Sequence, residues 1–128
     1  MSFASKLKLD GKEMNILYAS YDLHQEVDQT GRPSSVTRGG QIKLIVESTN
    51  DSFFFEWMTN NFERKDGSIQ YIKRDTDAKL KELMFKEAYM VNYEEEFDAK
   101  GENPLVESFT ISAREINFGT GGHVNLWV

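Results

Sequence analysis

The sequence contains no cysteine, which excludes disulfide frameworks and thiolate zinc sites. It also contains no run of apolar residues near the roughly 18 that a membrane-spanning helix needs. The first ten residues lack the apolar segment of a secretory signal peptide. The lack of cysteine is compatible with a reducing cytoplasm. We expect a protein that does not insert directly into a membrane and that, if it leaves the cell, uses a route other than general secretion.

Basic residues are scarce relative to acidic ones. The chain has 15 lysines and arginines against 21 aspartates and glutamates, for a net charge of -6, and the basic residues are not gathered in one segment. Proteins that bind nucleic acid through its phosphates usually carry the opposite balance. The composition therefore argues against nucleic acid as a partner.

Candidate catalytic and metal-binding groups are equally few. His24 and Glu26 share one face of a predicted strand, but no cysteine or activated serine accompanies them, and His123 lies near the end of the chain. The acidic run from Glu94 to Asp98 lacks the alternating oxygen ligands and the glycine turn of a calcium loop. We expect neither catalysis nor a metal or cofactor.

What the chain does contain is apolar and polar residues that alternate with the period of β-strands. Asp10 and Gly11 predict a tight hairpin between the first two strands. A change of phase near Ala88 indicates a bulge or a bend between two sheets. The pattern predicts strands at 3–9, 16–23, 42–47, 69–74, 79–93 and 105–118, with turns at 65–67 and 75–77.

One short helix is predicted from Asp51 to Asn60, because N-cap residues precede a stripe of aromatic side chains that must be buried against a sheet. The length of 128 residues favours a single domain over 1–128, and the glycine-rich tail from about 119 to 128 is expected to be flexible. We predict a mainly β fold, a small antiparallel β-barrel or sandwich of two sheets with one short α-helix packed outside.

A polar loop from Asp28 to Gly40 lies between the second and third strands. It is longer than most connections in so small a domain, and loops of this length are usually functional or disordered. It carries Arg32, Pro33 and Arg38 in a chain that is acidic overall. Two interpretations remain open, a solvated loop or an arm that packs on a neighbouring molecule through Arg32 or Arg38.

The strand before this loop, at 16–23, carries bulky side chains on both faces. It offers more apolar surface than one small core needs, and surplus apolar surface is usually covered by a partner. A subunit that binds copies of itself is one interpretation. The alternative is a monomeric ligand-binding barrel of the lipocalin or fatty-acid-binding kind, which has similar length, acidity and aromatic content.

Seven segments carry a family resemblance, at 20–28, 30–35, 38–40, 55–58, 65–67, 85–89 and 109–113. In this order they are similar to the tube protein of the type VI secretion system (Hcp, also called TssD), in the form found in Bacteroidetes. The resemblance runs from Phe3 to about residue 118. A tube protein of a phage tail or of an extracellular injection system would share most of the pattern.

This resemblance implies a compact β-barrel without catalytic activity that forms six-membered rings, which stack into a hollow tube. It also implies partners, namely the contractile sheath, a spike or tip protein, and small effectors held in the lumen. Assembly would take place in the cytoplasm, and contraction of the sheath would expel the tube. The resemblance makes the long loop the candidate for the contact between rings and the acidic run a candidate acceptor, and the residues concerned are Arg32, Pro33, Arg38, Glu94, Glu95 and Glu96.

Overall fold

The computed structural model describes residues 3–34, 38–48, 51–60, 62–73, 79–102, 104–118 and 121–124. Strands make up most of this part of the chain, and a single short helix accompanies them, which confirms the predicted mainly β class. In chain order the elements are β1 (Phe3–Leu9), β2 (Lys12–His24), β3 (Arg38–Glu47), α1 (Phe53–Thr59), β4 (Arg64–Lys73), β5 (Lys79–Phe97), β6 (Leu105–Phe118) and β7 (Gly121–Val124).

The strands form one antiparallel sheet that closes on itself. Its order is β3-β2-β1-β4-β5-β6-β7, and an additional pairing of β3 with β6 closes six strands into a barrel. The predicted hairpin at Asp10 and Gly11 is confirmed, since both residues have the positive φ that a two-residue turn between twisted strands requires.

The interior of the barrel is filled by apolar side chains from the inward positions of all six closing strands. Helix α1 adds Phe54 and Trp57 to this core, and the Phe54 ring stacks on Phe109 with centroids 4.5 Å apart. The predicted aromatic stripe is therefore buried, although the helix begins at Phe53 rather than at Asp51. A barrel of six strands is narrower than the eight-stranded barrels that hold a ligand, so its side chains are enough to fill it.

The predicted turn at Lys65–Gly67 is wrong, because these residues lie inside β4. Opposite them β5 carries one extra residue, which forms a bulge in which Glu87 has a φ of 52° and donates its backbone N–H to Asp66 Oδ1. The bulge was expected near Ala88, and that expectation is confirmed. Gly67 is needed because a Cβ at this position would lie 2.7 Å from Cζ of Phe85.

The predicted flexible tail also needs correction, because Gly121–Val124 form β7 and pair with β6. The rest of that tail lies outside the described residues, and so does the predicted turn at 75–77. The strand predicted at 105–118 is confirmed with the same bounds.

Candidate functional site

Four strands of the barrel extend beyond the ends of β1 and β4. Strand β1 pairs with β2 only as far as Asn15, and β4 pairs with β5 only as far as Tyr89. Beyond these points β2, β3, β6 and β5 continue side by side, over 16–24, 41–47, 106–112 and 90–97, and we call this part the four-stranded layer. Within the described chain, no strand pairs with the outer edge of β2 or of β5 in this layer.

Both free edges carry exposed apolar side chains. Leu17 and Leu23 on β2 are 42% and 48% exposed, and Val91 on β5 is 48% exposed at a second bulge. Phe97, at the end of β5, is 69% exposed. The surplus of apolar surface predicted for the strand at 16–23 is therefore present, and it lies at an edge that can accept another strand.

The outer face of the four-stranded layer is mainly polar. One row across it contains Ser20, Lys43, Thr110 and Asn92, which the strand pairings place side by side. A subunit that joins its neighbours through the edges of this layer would keep the outer face in water. Polar side chains on the face and apolar side chains at the edges suit that arrangement.

The loop after β2 is more ordered than its composition suggested. Val27 and Pro33 form a β-bridge, and the Asp28 carboxylate accepts hydrogen bonds from the Thr30 hydroxyl and from the backbone N–H groups of Thr30 and Arg32. These bonds, led by that from the Thr30 hydroxyl, hold the pKa of Asp28 below its usual value. Residues 25–34 are thus a small preorganised hairpin, which we call the projecting hairpin.

Three of the site residues named from the sequence lie in or just after this hairpin. Arg32 and Pro33 are exposed at its tip side, and within the described chain no carboxylate pairs with Arg32. Arg38 begins β3, and its side chain lies outside the described part.

The acidic run lies at the opposite end of the layer and belongs to β5 rather than to a loop. The side chains of Glu94 and Glu96 lie on the outer face, whereas Glu95 lies on the inner face, opposite Glu107. A cleft of about 430 Å³ opens beside Glu96, with apolar groups from β2 and β6 and acidic groups around it. We call it the acidic cleft, and its lining residues are Leu17, Glu96, Asp98, Gly101, Glu102 and Val106.

The structure therefore does not bring Arg32 and the glutamates together within one chain. Strand β2 runs from the cleft at Leu17 to His24 at the base of the hairpin, and at about 3.3 Å per residue it separates them by more than about 20 Å. A contact between these groups has to join two molecules.

One buried acidic residue was missed by the sequence analysis. Glu107 is 2% exposed, and its Oε1 accepts hydrogen bonds from Ser48 Oγ and Tyr93 OH, each at 3.3 Å. Its Oε2 is buried and has no hydrogen-bond partner among the described residues. Burial raises the pKa of Glu107, and the hydrogen bonds oppose this only in part. The signal was present, because the alternation of 105–113 places Glu107 on the face of Phe109 and Ile111.

The histidine named from the sequence lies beside an acidic residue of its own strand. His24 Nδ1 lies 3.3 Å from Asp22 Oδ2, so the carboxylate beside this histidine is that of Asp22 rather than Glu26. Among the described residues no group of three or more acidic or histidine side chains could hold a metal ion. Helices in the same part of the chain are too short to cross a membrane.

A filled, closed barrel with two open strand edges on one layer defines a class of structural subunit that assembles from copies of itself. The class can be made specific, because a family model for hemolysin coregulated protein Hcp (TssD) matches residues 1–128. The chain belongs to the Hcp (TssD) family, and it is a structural tube subunit of the type VI secretion kind.

Solved structures agree with this assignment. Hcp1 from Flavobacterium johnsoniae is 59% identical, with a TM-score of 0.91 over 95% of this chain and 99% of that chain, which confirms the resemblance to the Bacteroidetes form. Hcp1 from Salmonella typhimurium shares the fold, at 14% identity and a TM-score of 0.78 over 97% of this chain and 95% of that chain.

A more distant structure shares the fold as well. It is described as the PVC sheath/tube terminator of an extracellular contractile injection system, and it has 17% identity and a TM-score of 0.60 over 91% of this chain and 93% of that chain. A comparison with curated proteins gives no significant match.

Proposed function

We propose that copies of this chain join side by side through the four-stranded layer and close into six-membered rings. The observation that carries this proposal is that, in the part of the chain that the structure describes, the layer has two different edges with which no strand pairs, β2 on one side and β5 on the other. A contact between two different surfaces leaves each added copy with the same free edge, and it closes into a ring when the rotation between copies allows.

The edges are suited to this contact. An unpaired strand edge in water is normally blunted by charge or covered, because it can pair with another chain. Here each edge carries exposed apolar groups, Leu17 and Leu23 on β2 and Val91 on β5. Joining β2 of one copy to the β5 edge of the next would cover these groups and extend the layer from copy to copy.

Stacking of the rings follows from the two ends of the same layer. The projecting hairpin lies at one end and the acidic cleft at the other. In a stack of rings that all face the same way, the hairpin of one ring meets the cleft end of the next. Arg32, with the adjacent Pro33, would then lie near the carboxylates of Glu94 and Glu96, whereas Glu95 lies on the inner face. Arg38, at the start of β3, remains a further candidate for this contact.

This assembly suits a mechanical rather than a catalytic role. We propose that the chain is a single tube domain over 1–128, that its stacked rings form in the cytoplasm inside a contractile sheath, and that contraction of the sheath expels them. Membership of a structural tube family supports the lack of catalysis. The tip protein and small effectors carried in the lumen complete the proposed partners.

The test of the ring is the mass of the purified protein by light scattering at two concentrations. We expect a particle of about six times the 14.8 kDa chain at both concentrations, and stacked tubes by electron microscopy at high concentration. A monomer at both concentrations would overturn the proposal that the chain forms rings by itself.

A further inference from the structure

Phe62 combines two features that a surface residue rarely has together. Its side chain is 85% exposed, more than that of any other large apolar residue in the described chain. Its φ is 64°, in the left-handed region that an aromatic residue adopts only under constraint from its surroundings.

The residues around Phe62 hold it in this conformation. The Glu63 backbone N–H donates to the Asn60 carbonyl at 3.2 Å, and the Glu63 carbonyl accepts a hydrogen bond from the buried Trp57 indole at 2.9 Å. Arg64 already belongs to β4. Asn60 and Glu63 are therefore held in place by hydrogen bonds on the two sides of Phe62.

The Phe62 ring rests on a supported aromatic surface. It meets the Tyr89 ring edge to face, with centroids 6.4 Å apart. The Arg64 guanidinium lies 5.9 Å from the centroid of the same Tyr89 ring, and Arg64 is itself paired with Glu87 at 2.9 Å. The projecting phenyl group is thus preorganised, which lowers the entropy lost when it is buried by a partner.

Phe62 also stands at the start of a free edge. Tyr89 is opposite Arg64, the first residue of β4, so in the described chain no strand pairs with the outer edge of β5 from Met90 onward. The next residue along this edge, Val91, is exposed and lies in the second bulge of β5. Helix α1 packs beside this stretch, where the Phe55 ring meets Tyr93 edge to face with centroids 6.3 Å apart. Phe62 therefore extends the apolar surface of the β5 edge at the end nearer the projecting hairpin.

The opposite edge of the layer offers a partner at the same level. Tyr89 on β5 pairs with Ser112 on β6, and Ser112 pairs with Gln41 on β3. Gln41 lies between the β3 residues that pair with Tyr21 and Leu23 of β2, so Tyr89 and Leu23 are at nearly the same height in the layer. Leu23 is 48% exposed on that edge. A second copy placed edge to edge without a large axial shift brings its Leu23 to Phe62.

We propose that Phe62 is the anchor of the contact between neighbouring copies, seated against the β2 edge of the next copy around Leu23. This inference rests on the proposed ring and names the side chain that contributes most to closing it. Well-packed aromatic anchors commonly dominate the energetics of such contacts, while the surrounding contacts mainly exclude water.

The test compares two exposed apolar residues, of which only one lies at the edge. We expect Phe62→Ser to raise the subunit dissociation constant by at least about a hundredfold, so that light scattering finds a monomer where the unaltered chain forms rings. Met84→Ser is the matched control, since Met84 is 47% exposed on the outer face of β5 away from both edges, and it should leave the mass unchanged.

Phe62→Gly separates assembly from folding. Glycine accepts a positive φ without strain, so this variant should unfold at a higher temperature than the Phe62→Ser variant, and it should also fail to form rings. If Phe62→Ser forms rings at the same concentrations as the unaltered chain, Phe62 is not the anchor, whereas the proposed ring is unaffected. An unaltered chain that stays monomeric would overturn both.

Discussion

The two halves of the barrel share β2, β5 and β6 but differ in what lies beside these strands. In the closed half, made of β1, β4 and the parts of β2, β5 and β6 near them, each of β1 and β4 has a partner on both sides. In the four-stranded layer, β2 and β5 each keep one edge without a partner in the described chain. The closed half therefore has no open strand edge in the described chain, whereas the layer has the two edges through which copies join in the proposed ring.

The largest effect on folding is expected from truncation in the closed half. Phe85 is 1% exposed and packs over Gly67, so Phe85→Ala should lower the free energy of unfolding by about 3–5 kcal/mol. Phe97→Ala, at the end of the β5 edge, should change it by less than about 0.5 kcal/mol. Urea unfolding at protein concentrations too low for association measures both, and equal losses would show that the two halves do not differ as described.

A glycine-to-alanine pair sharpens the same comparison. A Cβ on Gly67 would lie 2.6 Å from the Lys8 carbonyl oxygen and 2.7 Å from the Phe85 ring, so Gly67→Ala should cost about 1–3 kcal/mol. A Cβ on Gly39 would meet the end of the Leu23 side chain at 2.5 Å and the Asp22 carbonyl oxygen at 2.7 Å.

Both positions meet a backbone oxygen, but the other close contact of Gly67 is the buried Phe85 ring, whereas that of Gly39 is the end of the exposed Leu23 side chain. Gly39→Ala should therefore cost less in urea unfolding than Gly67→Ala. Its larger effect should be on assembly, since the displaced Leu23 lies on the β2 edge. A Gly39→Ala variant with normal rings and a larger loss of stability than Gly67→Ala would contradict this order.

Glu107, the buried acidic residue, should make the stability of the folded chain depend on pH. Burial raises the pKa of Glu107 in the folded chain above the value of an exposed glutamate, so the folded chain binds this proton more tightly than the unfolded chain does. The contribution of Glu107 to stability is complete at pH values below its pKa in the unfolded chain. It is lost as the pH rises through the raised pKa of Glu107 in the folded chain. Glu107→Gln, which stays neutral, should remove this loss.

Urea midpoints of both proteins measured from about pH 4 to about pH 8 should therefore diverge, with the unaltered chain falling relative to Glu107→Gln. Tyr93→Phe is a useful second variant, because it removes one hydrogen bond to Glu107 without removing the acid. Parallel curves for the unaltered chain and Glu107→Gln would show that the carboxyl group titrates as an ordinary exposed one.

The smallest effect on folding is expected at the projecting hairpin. Arg32 is exposed and has no carboxylate partner in the described chain, so Arg32→Glu should leave both the unfolding free energy and the ring mass unchanged. It should shorten or abolish stacked tubes in electron micrographs, because a negative charge then faces the carboxylates around the acidic cleft.

Lys73→Glu makes the same change of charge on exposed β4 and should stack normally. Tubes of normal length from Arg32→Glu would remove Arg32 from the stacking contact. Restored tubes in a variant that combines Arg32→Glu with Glu96→Arg would support a direct pairing of the two sites.

Much of the fold could be predicted from the sequence, because alternation over long strands is a strong signal. The strand at 105–118 and the bulge near Ala88 follow directly from it. The turn assigned to Lys65–Gly67 failed because Gly67 serves a close approach of Phe85 inside a strand, and local composition does not distinguish this from a turn.

The assembly surfaces were only partly predictable. The apolar surplus at 16–23 pointed to the β2 edge, but the β5 edge depends on where β4 stops pairing, which is a property of the register between distant strands. Phe62 carried no signal of its own, since its exposure and its positive φ arise only in the folded chain. The position of the hairpin and the acidic glutamates at opposite ends also required the strand order.

The central claim is that the β2 edge of one copy meets the β5 edge of the next, and cross-linking tests it most directly. The chain has no cysteine, so Leu17→Cys and Glu95→Cys can be combined without background reaction. Both positions lie near one row of the layer, at its two edges. With a short bis-maleimide, an equimolar mixture of the two single variants should give a covalent pair made of one chain of each kind, whereas neither single variant should cross-link to itself. A Leu17→Cys chain that cross-links to its own kind, or a mixture that gives no covalent pair, would contradict the claim.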